Sequence, residues 1–242
     1  MFLGSNMIKV NSIIDVNHKD VLVSMYDLGG YISGSFAAYY ARPDIGFKPG
    51  DIDIFVKDEE SAVKIITYLN EKYGINIFTS DKKSSIYNDS EIFTLTVLGS
   101  PIIKYQVVIR KLSIDKLMKD FDFTICKAYF TPDLNHIMVD PCFMGDVDNR
   151  RLRVTTSPSK RNIQMILYRY TKYINRGFKP KFEDLVQSAS CLDREDRHLF
   201  FNNLVFNFKD ILPENVYNKI KLMYGFSGFD KKVEIINGAN WP

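Results

Sequence analysis

Asp51 and Asp53 are the residues in this 242-residue chain whose type and spacing most directly suggest chemistry. They open the run Asp-Ile-Asp-Ile-Phe-Val at 51–56, whose alternation predicts a strand. Residues i and i+2 of a strand share a face, so both carboxylates project together while Ile52, Ile54 and Val56 turn to a core. Two like charges held that close raise one pKa unless a cation lies between them. Mg²⁺ meets that need, because it takes oxygen ligands and keeps positions for water and substrate phosphates. Upstream stands Gly34-Ser35, where a strand at 29–33 is expected to give way to a helix at 36–42. Glycine there lets the backbone approach a ligand, and the N–H groups of a helix start favour phosphate. A Walker A loop is excluded, because Gly29-x4-Gly34 is followed by Ser35 and not by Lys. Taken singly, Gly-Ser is also an ordinary helix-capping turn, and Asp-x-Asp an ordinary solvated pair.

A second candidate is electrostatic. The window 150–181 holds ten basic side chains and no Asp or Glu, so with a net charge of +3 overall the rest of the chain is negative by seven. Such a block suggests a surface for polyanions. On a helix expected over 158–175, Ile163, Ile166, Leu167, Tyr170, Tyr173 and Ile174 form one apolar stripe. Arg161, Arg169, Lys172 and Arg176 fall beside it. Guanidinium forks suit phosphate bidentately, which makes Arg161 and Arg169 the candidate triphosphate contacts. Arg151, Arg153, Lys172 and Arg176 are further candidates for nucleic-acid or phosphate contact.

The elements that must position these residues read as α+β: a mixed β-sheet head with helices on one side, then a smaller helical C-terminal region. A short helix is expected at 20–28, strands at 29–33 and 51–56, and a loop rich in Pro and Gly at 42–50 between the Gly-Ser turn and the Asp pair. Residues 58–74 carry acids in the first turn and end on glycine, which marks a helix. Further strands are expected at 75–79, 92–98, 102–110 and 123–130, with a helix at 114–119. Helical segments follow near 182–191, 194–206 and 214–224. The division is expected at 148/149, giving a head over 1–148 and a helical region over 149–242.

The order strand, Gly-Ser, helix, loop, Asp-Ile-Asp-Ile resembles the nucleotidyltransferase superfamily, the polymerase-β-like fold. Residues 151–178 resemble the segment that follows the catalytic head in poly(A) polymerases and CCA-adding enzymes. The resemblance implies transfer of a nucleoside monophosphate from an NTP to an acceptor hydroxyl, with release of pyrophosphate. It implies two Mg²⁺ ions, with Mn²⁺ as the alternative, held by Asp51, Asp53 and a third carboxylate on a neighbouring strand. The strand at 104–110 offers Gln106 and no acid, so Asp122 is the preferred third ligand over Asp120 or a site lacking one. Gly34 and Ser35 would take the triphosphate. The basic block favours an RNA 3′ end, tRNA among them, as acceptor; a protein or small-molecule hydroxyl is the other option within the superfamily. A catalytically inactive module that binds nucleic acid or a protein partner is the reading from a different class, and Gln106 supports it.

Other features narrow the field. Cys126, Cys142 and Cys191 form no CxxC pair, and His18, His136 and His198 are scattered, which argues against disulfides and zinc. No stretch reaches the ~18 apolar residues of a membrane span, and the first ten residues lack the pattern of an export signal, so no membrane partner and a cytoplasmic location are expected. The abundance of Lys, Asn, Ile and Tyr suggests an AT-rich genome such as that of a phage.

Overall fold

The computed structural model describes residues 6–10, 16–74, 91–97, 103–155, 163–190 and 192–224. The strand expected at 75–79, Arg161 and Cys191 lie outside the described residues. Two compact units divide the chain: Met1–Phe121 with Ile125–Phe143, and Asp122–Thr124 with Met144–Trp241.

The first unit is built on a mixed sheet of β1 (Asn6–Lys9), β2 (Tyr31–Ser33), β3 (Ile52–Val56), β4 (Glu91–Val97), β5 (Ile103–Ile109), β6 (Ala128–Phe130) and β7 (His136–Val139). Its order is β1-β7-β6-β2-β3-β5-β4. Among the described strands only β3 and β5 run parallel; every other pairing is antiparallel. The helices are α1 (Val16–Asp27), α2 (Ser35–Ala41), α3 (Glu59–Tyr73) and α4 (Ile114–Asp120). Alternation along β3 decides what covers each face. Ile54 is fully buried, and a Cβ on Gly30 would meet it together with Ile65 of α3 and the Met25 carbonyl of α1. On the opposite face Phe55 and its register partner Val108 pack against Leu117 and Met118 of α4. The other end of that face, toward Asp53 and Gln106, is the end where the candidate site lies.

Local signals explain the best-defined helix. Asp58 caps α3 by accepting the Ser61 N–H at 2.8 Å, and Gly74 closes it in the left-handed region at φ 59°. The expected strand at 123–130 is shorter than its apolar run suggests. Phe123 pairs instead with Val154, Thr124–Cys126 form a 3-10 turn, and the sheet resumes only at Ala128. Two strands, β1 and β7, are additional to the sequence expectation; among the described residues β1 pairs with β7 at the edge of the sheet.

The second unit is helical: α5 (Phe143–Asp148, whose first residue belongs to the first unit), α6 (Ile163–Ile174), α7 (Phe182–Ala189), α8 (Arg194–Phe208) and α9 (Glu214–Tyr224). The apolar stripe of α6 forms its core, with Ile166, Leu167, Tyr170, Tyr173 and Ile174 buried. Phe123 stacks edge-on against Tyr170 and Tyr173 at 5.2 and 5.5 Å, and the Tyr170 hydroxyl lies 2.8 Å from that of Ser188. Tyr170 is therefore structural, and burial pushes its phenol well above the ordinary tyrosine range.

Candidate active site

The register of the sheet brings the two sequence motifs into contact. Ser33, the last residue of β2, pairs with Asp53 of β3, and Asp53 pairs on its other side with Gln106 of β5. The next residue, Gly34, is the N-cap of α2, with φ 80° and ψ −146°. A Cβ built on Gly34 would stand 2.8 Å from the Asp53 Oδ2, closer than real Cβ contacts come. Gly34 is thus required twice, by a backbone conformation that L-residues avoid and by a carboxylate in the space its side chain would fill.

Around this corner the backbone is tightly held. The Ala128 carbonyl accepts both the Gly34 N–H, at 3.0 Å, and the buried Ser33 hydroxyl, at 2.7 Å. The Gly34 carbonyl accepts the Ala38 N–H at 3.0 Å and so closes the first turn of α2. A first helical turn leaves the N–H groups of Ser35, Phe36 and Ala37 without intrahelical acceptors, and Ser35 itself is largely buried. Asp51 lies at a bend just before β3, two residues from Asp53, and both are partly exposed while Ile52 and Ile54 between and beyond them are buried. The alternation expected from the sequence is therefore present in the burial.

Lys127 is a feature of this end of the sheet that sequence reading passed over. It precedes Ala128, is buried, and lies 3.9 Å from the Asp140 carboxylate. Burial pulls its ammonium below the ordinary lysine range, against the opposing pull of Asp140. The signal in the sequence is a lone lysine in the apolar run Ile-Cys-Lys-Ala-Tyr-Phe.

The second unit gives the remaining candidates their partners. Asp122 forms an ion pair with Arg169, so a proposed metal acid and a proposed triphosphate clamp meet each other. Arg151 forks onto the buried Asp184, with its Nη2 at 3.0 and 3.2 Å from the two oxygens. The same carboxylate accepts the backbone N–H groups of Val154 and Lys181. Arg153 grips the buried Asp146 through Nε and Nη2 at 2.8–3.1 Å, and Asp146 also accepts the Thr124 hydroxyl at 2.6 Å. Lys172 and Arg176 lie over the Tyr173 ring at 5.9 and 5.3 Å. The block 150–181 contains no acid, yet three of its arginines find carboxylates at 122, 146 and 184, outside the window. Among the described residues no three His, Cys, Asp or Glu side chains gather in a metal-binding group. Also among them, no helix is long and apolar enough to cross a membrane.

The chain is similar in fold to a CCA-adding enzyme solved with ATP, at 15% identity over 89% of this chain and 54% of that one, with a TM-score of 0.58. A CCA-adding enzyme solved with CTP gives 14% identity over 90% and 55%, with a TM-score of 0.57. The Thermotoga maritima CCA-adding enzyme complexed with tRNA gives 13% over 91% and 70%, with a TM-score of 0.53. The chain spans about half the length of the first of these structures. At such identities the likeness establishes the nucleotidyltransferase fold. Curated protein sequences give no match. Residues 7–150 match the family described as Gad2, Gabija anti-defense 2 family protein.

Proposed function

The chain belongs to the Gabija anti-defense 2 family, and from that premise we propose that it counters Gabija defence as a metal-dependent nucleotidyltransferase, moving a nucleoside monophosphate from an NTP to an acceptor hydroxyl with release of pyrophosphate. The observation that carries this reading is the contact between Gly34 and Asp53, which joins the phosphate-suited turn to the carboxylate pair at one corner of the sheet. Asp51 and Asp53 are the residues that would hold the ion. Their two carboxylates fit one Mg²⁺ that arrives with a triphosphate, since Mg²⁺ commonly binds through one or two carboxylates plus substrate phosphates. When bound, the ion supplies charge neutralisation to the triphosphate. Gly34 leaves room for the Asp53 carboxylate beside the turn, and the N–H groups of Ser35–Ala37 are the donors the chain itself offers the phosphates. Fold similarity to enzymes solved with ATP, CTP and tRNA supports an NTP donor and an RNA 3′ hydroxyl as acceptor.

The test is transfer of label from each α-labelled NTP to bulk tRNA and to purified Gabija proteins in the presence of Mg²⁺. The wild-type chain should label one acceptor, and the variant carrying Asp51→Asn with Asp53→Asn should label none. Label on tRNA identifies an RNA acceptor and label on protein a protein hydroxyl; undiminished transfer by the double variant removes the assignment.

One observation favours a second reading. The position beside Asp53 on β5 is the amide Gln106, and Asp122 is engaged by Arg169. A catalytically silent module that binds a nucleic acid or a protein of the defence system would have no use for a third acid. Calorimetry with ATP or CTP, with and without Mg²⁺, separates the two, because metal-dependent binding belongs only to the enzyme.

A further inference from the structure

A cavity of about 470 Å³ lies wholly within the second unit, and its walls carry four cations, Arg151, Arg153, Lys179 and Lys181, against the single carboxylate of Asp146. That volume is in the range of small-ligand sites and exceeds what one inorganic ion fills. The cations reach it from two chain segments locked side by side. Arg151 and Lys179 are partners in a parallel bridge, closed by the Leu152 N–H to the Lys179 carbonyl at 2.9 Å and the Lys179 N–H to the Arg150 carbonyl at 2.7 Å. Lys179 and Lys181 are exposed on either side of the buried Pro180, so their ammonium groups fall on one side of an extended stretch.

The two guanidinium groups are held from behind. Asp184 grips Arg151 through Nε and Nη2, leaving Nη1 out of that fork, and Asp146 fixes Arg153. Both carboxylates are buried and bound to further donors, so they orient the arginines without offsetting the lysines. Counting Asp146 and Asp184 against the four cations still leaves two positive charges, in a cavity whose strongest donors are pre-oriented. Asn149 adds an amide whose nitrogen is taken by the Gly145 carbonyl at 2.7 Å.

We infer that this cavity is a second phosphate site, which takes a nucleotide-sized phosphate ester, either as a free mononucleotide or as one unit of a nucleic-acid strand. The Arg151 Nη1, which lies outside its carboxylate fork, and the flexible ammonium groups of Lys179 and Lys181 beside it are the charged donors such an ester requires. Asp51, Asp53 and the turn at Gly34–Ala37 do not line it, so the site stands whether or not the chain is an enzyme.

The test uses the full chain in EDTA, which silences any metal-dependent nucleotide binding. AMP and a short single-stranded RNA are titrated separately by calorimetry. Wild-type protein should bind at least one, and the variant carrying Lys179→Gln with Lys181→Gln should bind it roughly 10-fold more weakly. Asp51→Asn with Asp53→Asn should leave the binding intact, which separates this site from the proposed transfer site. If AMP binds as tightly as RNA, the ligand is a mononucleotide. Tighter RNA binding whose salt dependence falls by about 1.4 units of slope in the lysine variant identifies a strand. The two lysines are exposed and make no ion pair among the described residues, so folding of the variant is expected, and its circular dichroism melt verifies this. Failure of both ligands to bind wild type, or binding unchanged by loss of both lysines, overturns the site.

Discussion

Gly34→Ala tests whether the two sequence motifs work as one site. The backbone there, φ 80° and ψ −146°, is close to a region populated almost only by glycine, where an L-residue costs about 1–3 kcal/mol. In addition the new methyl would begin 2.8 Å from the Asp53 Oδ2, so the carboxylate or the turn must yield by about half an ångström to reach ordinary contact. For a chain of this size each kcal/mol lowers Tm by about 2–4 °C, so a fall of roughly 2–12 °C is expected. Displacement of Asp53 should also weaken Mg²⁺-dependent ATP or CTP binding at least ~10-fold, since reacting groups tolerate little misplacement. Scanning calorimetry reads the first effect and titration calorimetry the second. Two other glycines separate the causes. Gly74→Ala carries a positive φ of 59° but meets nothing within 4 Å, so it should lose stability and keep nucleotide binding. Gly50→Ala adjoins Asp51, has neither a positive φ nor a contact within 4 Å, and should change neither quantity. A Gly34→Ala protein that melts and binds like wild type would refute the reasoning.

Further expectations follow from other contacts. Arg151→Ala strips the buried Asp184 of its charge partner and should destabilise the chain by about 3–5 kcal/mol in denaturant unfolding, an effect that a ligand-binding role alone would not produce. Phe substituted for Tyr170 removes a buried hydroxyl that faces the Ser188 Oγ at 2.8 Å, and a loss of about 1–3 kcal/mol should be seen in the same assay. Asp58 has its carboxyl held below the ordinary value near 3.8, chiefly by the Ser61 N–H. A depressed folded pKa contributes stability that is present above the unfolded value and lost as pH falls through the folded one. The Tm gap between wild type and Asp58→Ala should therefore be full at neutral pH and close below pH ~4, as thermal melts across pH would record.

The sequence by itself determined the parts whose physics is local. Alternation placed Ile52 and Ile54 inward and Asp51 and Asp53 outward, and burial follows that pattern. Asp58 and Gly74 marked both ends of α3, because capping involves only neighbours along the chain. Gly34 stood out as a glycine between strand and helix, though not that Asp53 occupies the place of its missing side chain. Tertiary structure decided what depends on the path of the chain. The absence of acids from 150–181 describes a window of sequence; Asp122, Asp146 and Asp184 enter from outside it and turn three arginines into ion pairs. Burial of Lys127 against Asp140 and the break of the 123–130 run into a turn and a short strand arise in the same way. Charge interacts through space and not along sequence, so composition located the basic segments, and only folding selected which of their cations are anchored by acids and which, Lys179 and Lys181, face an open cavity.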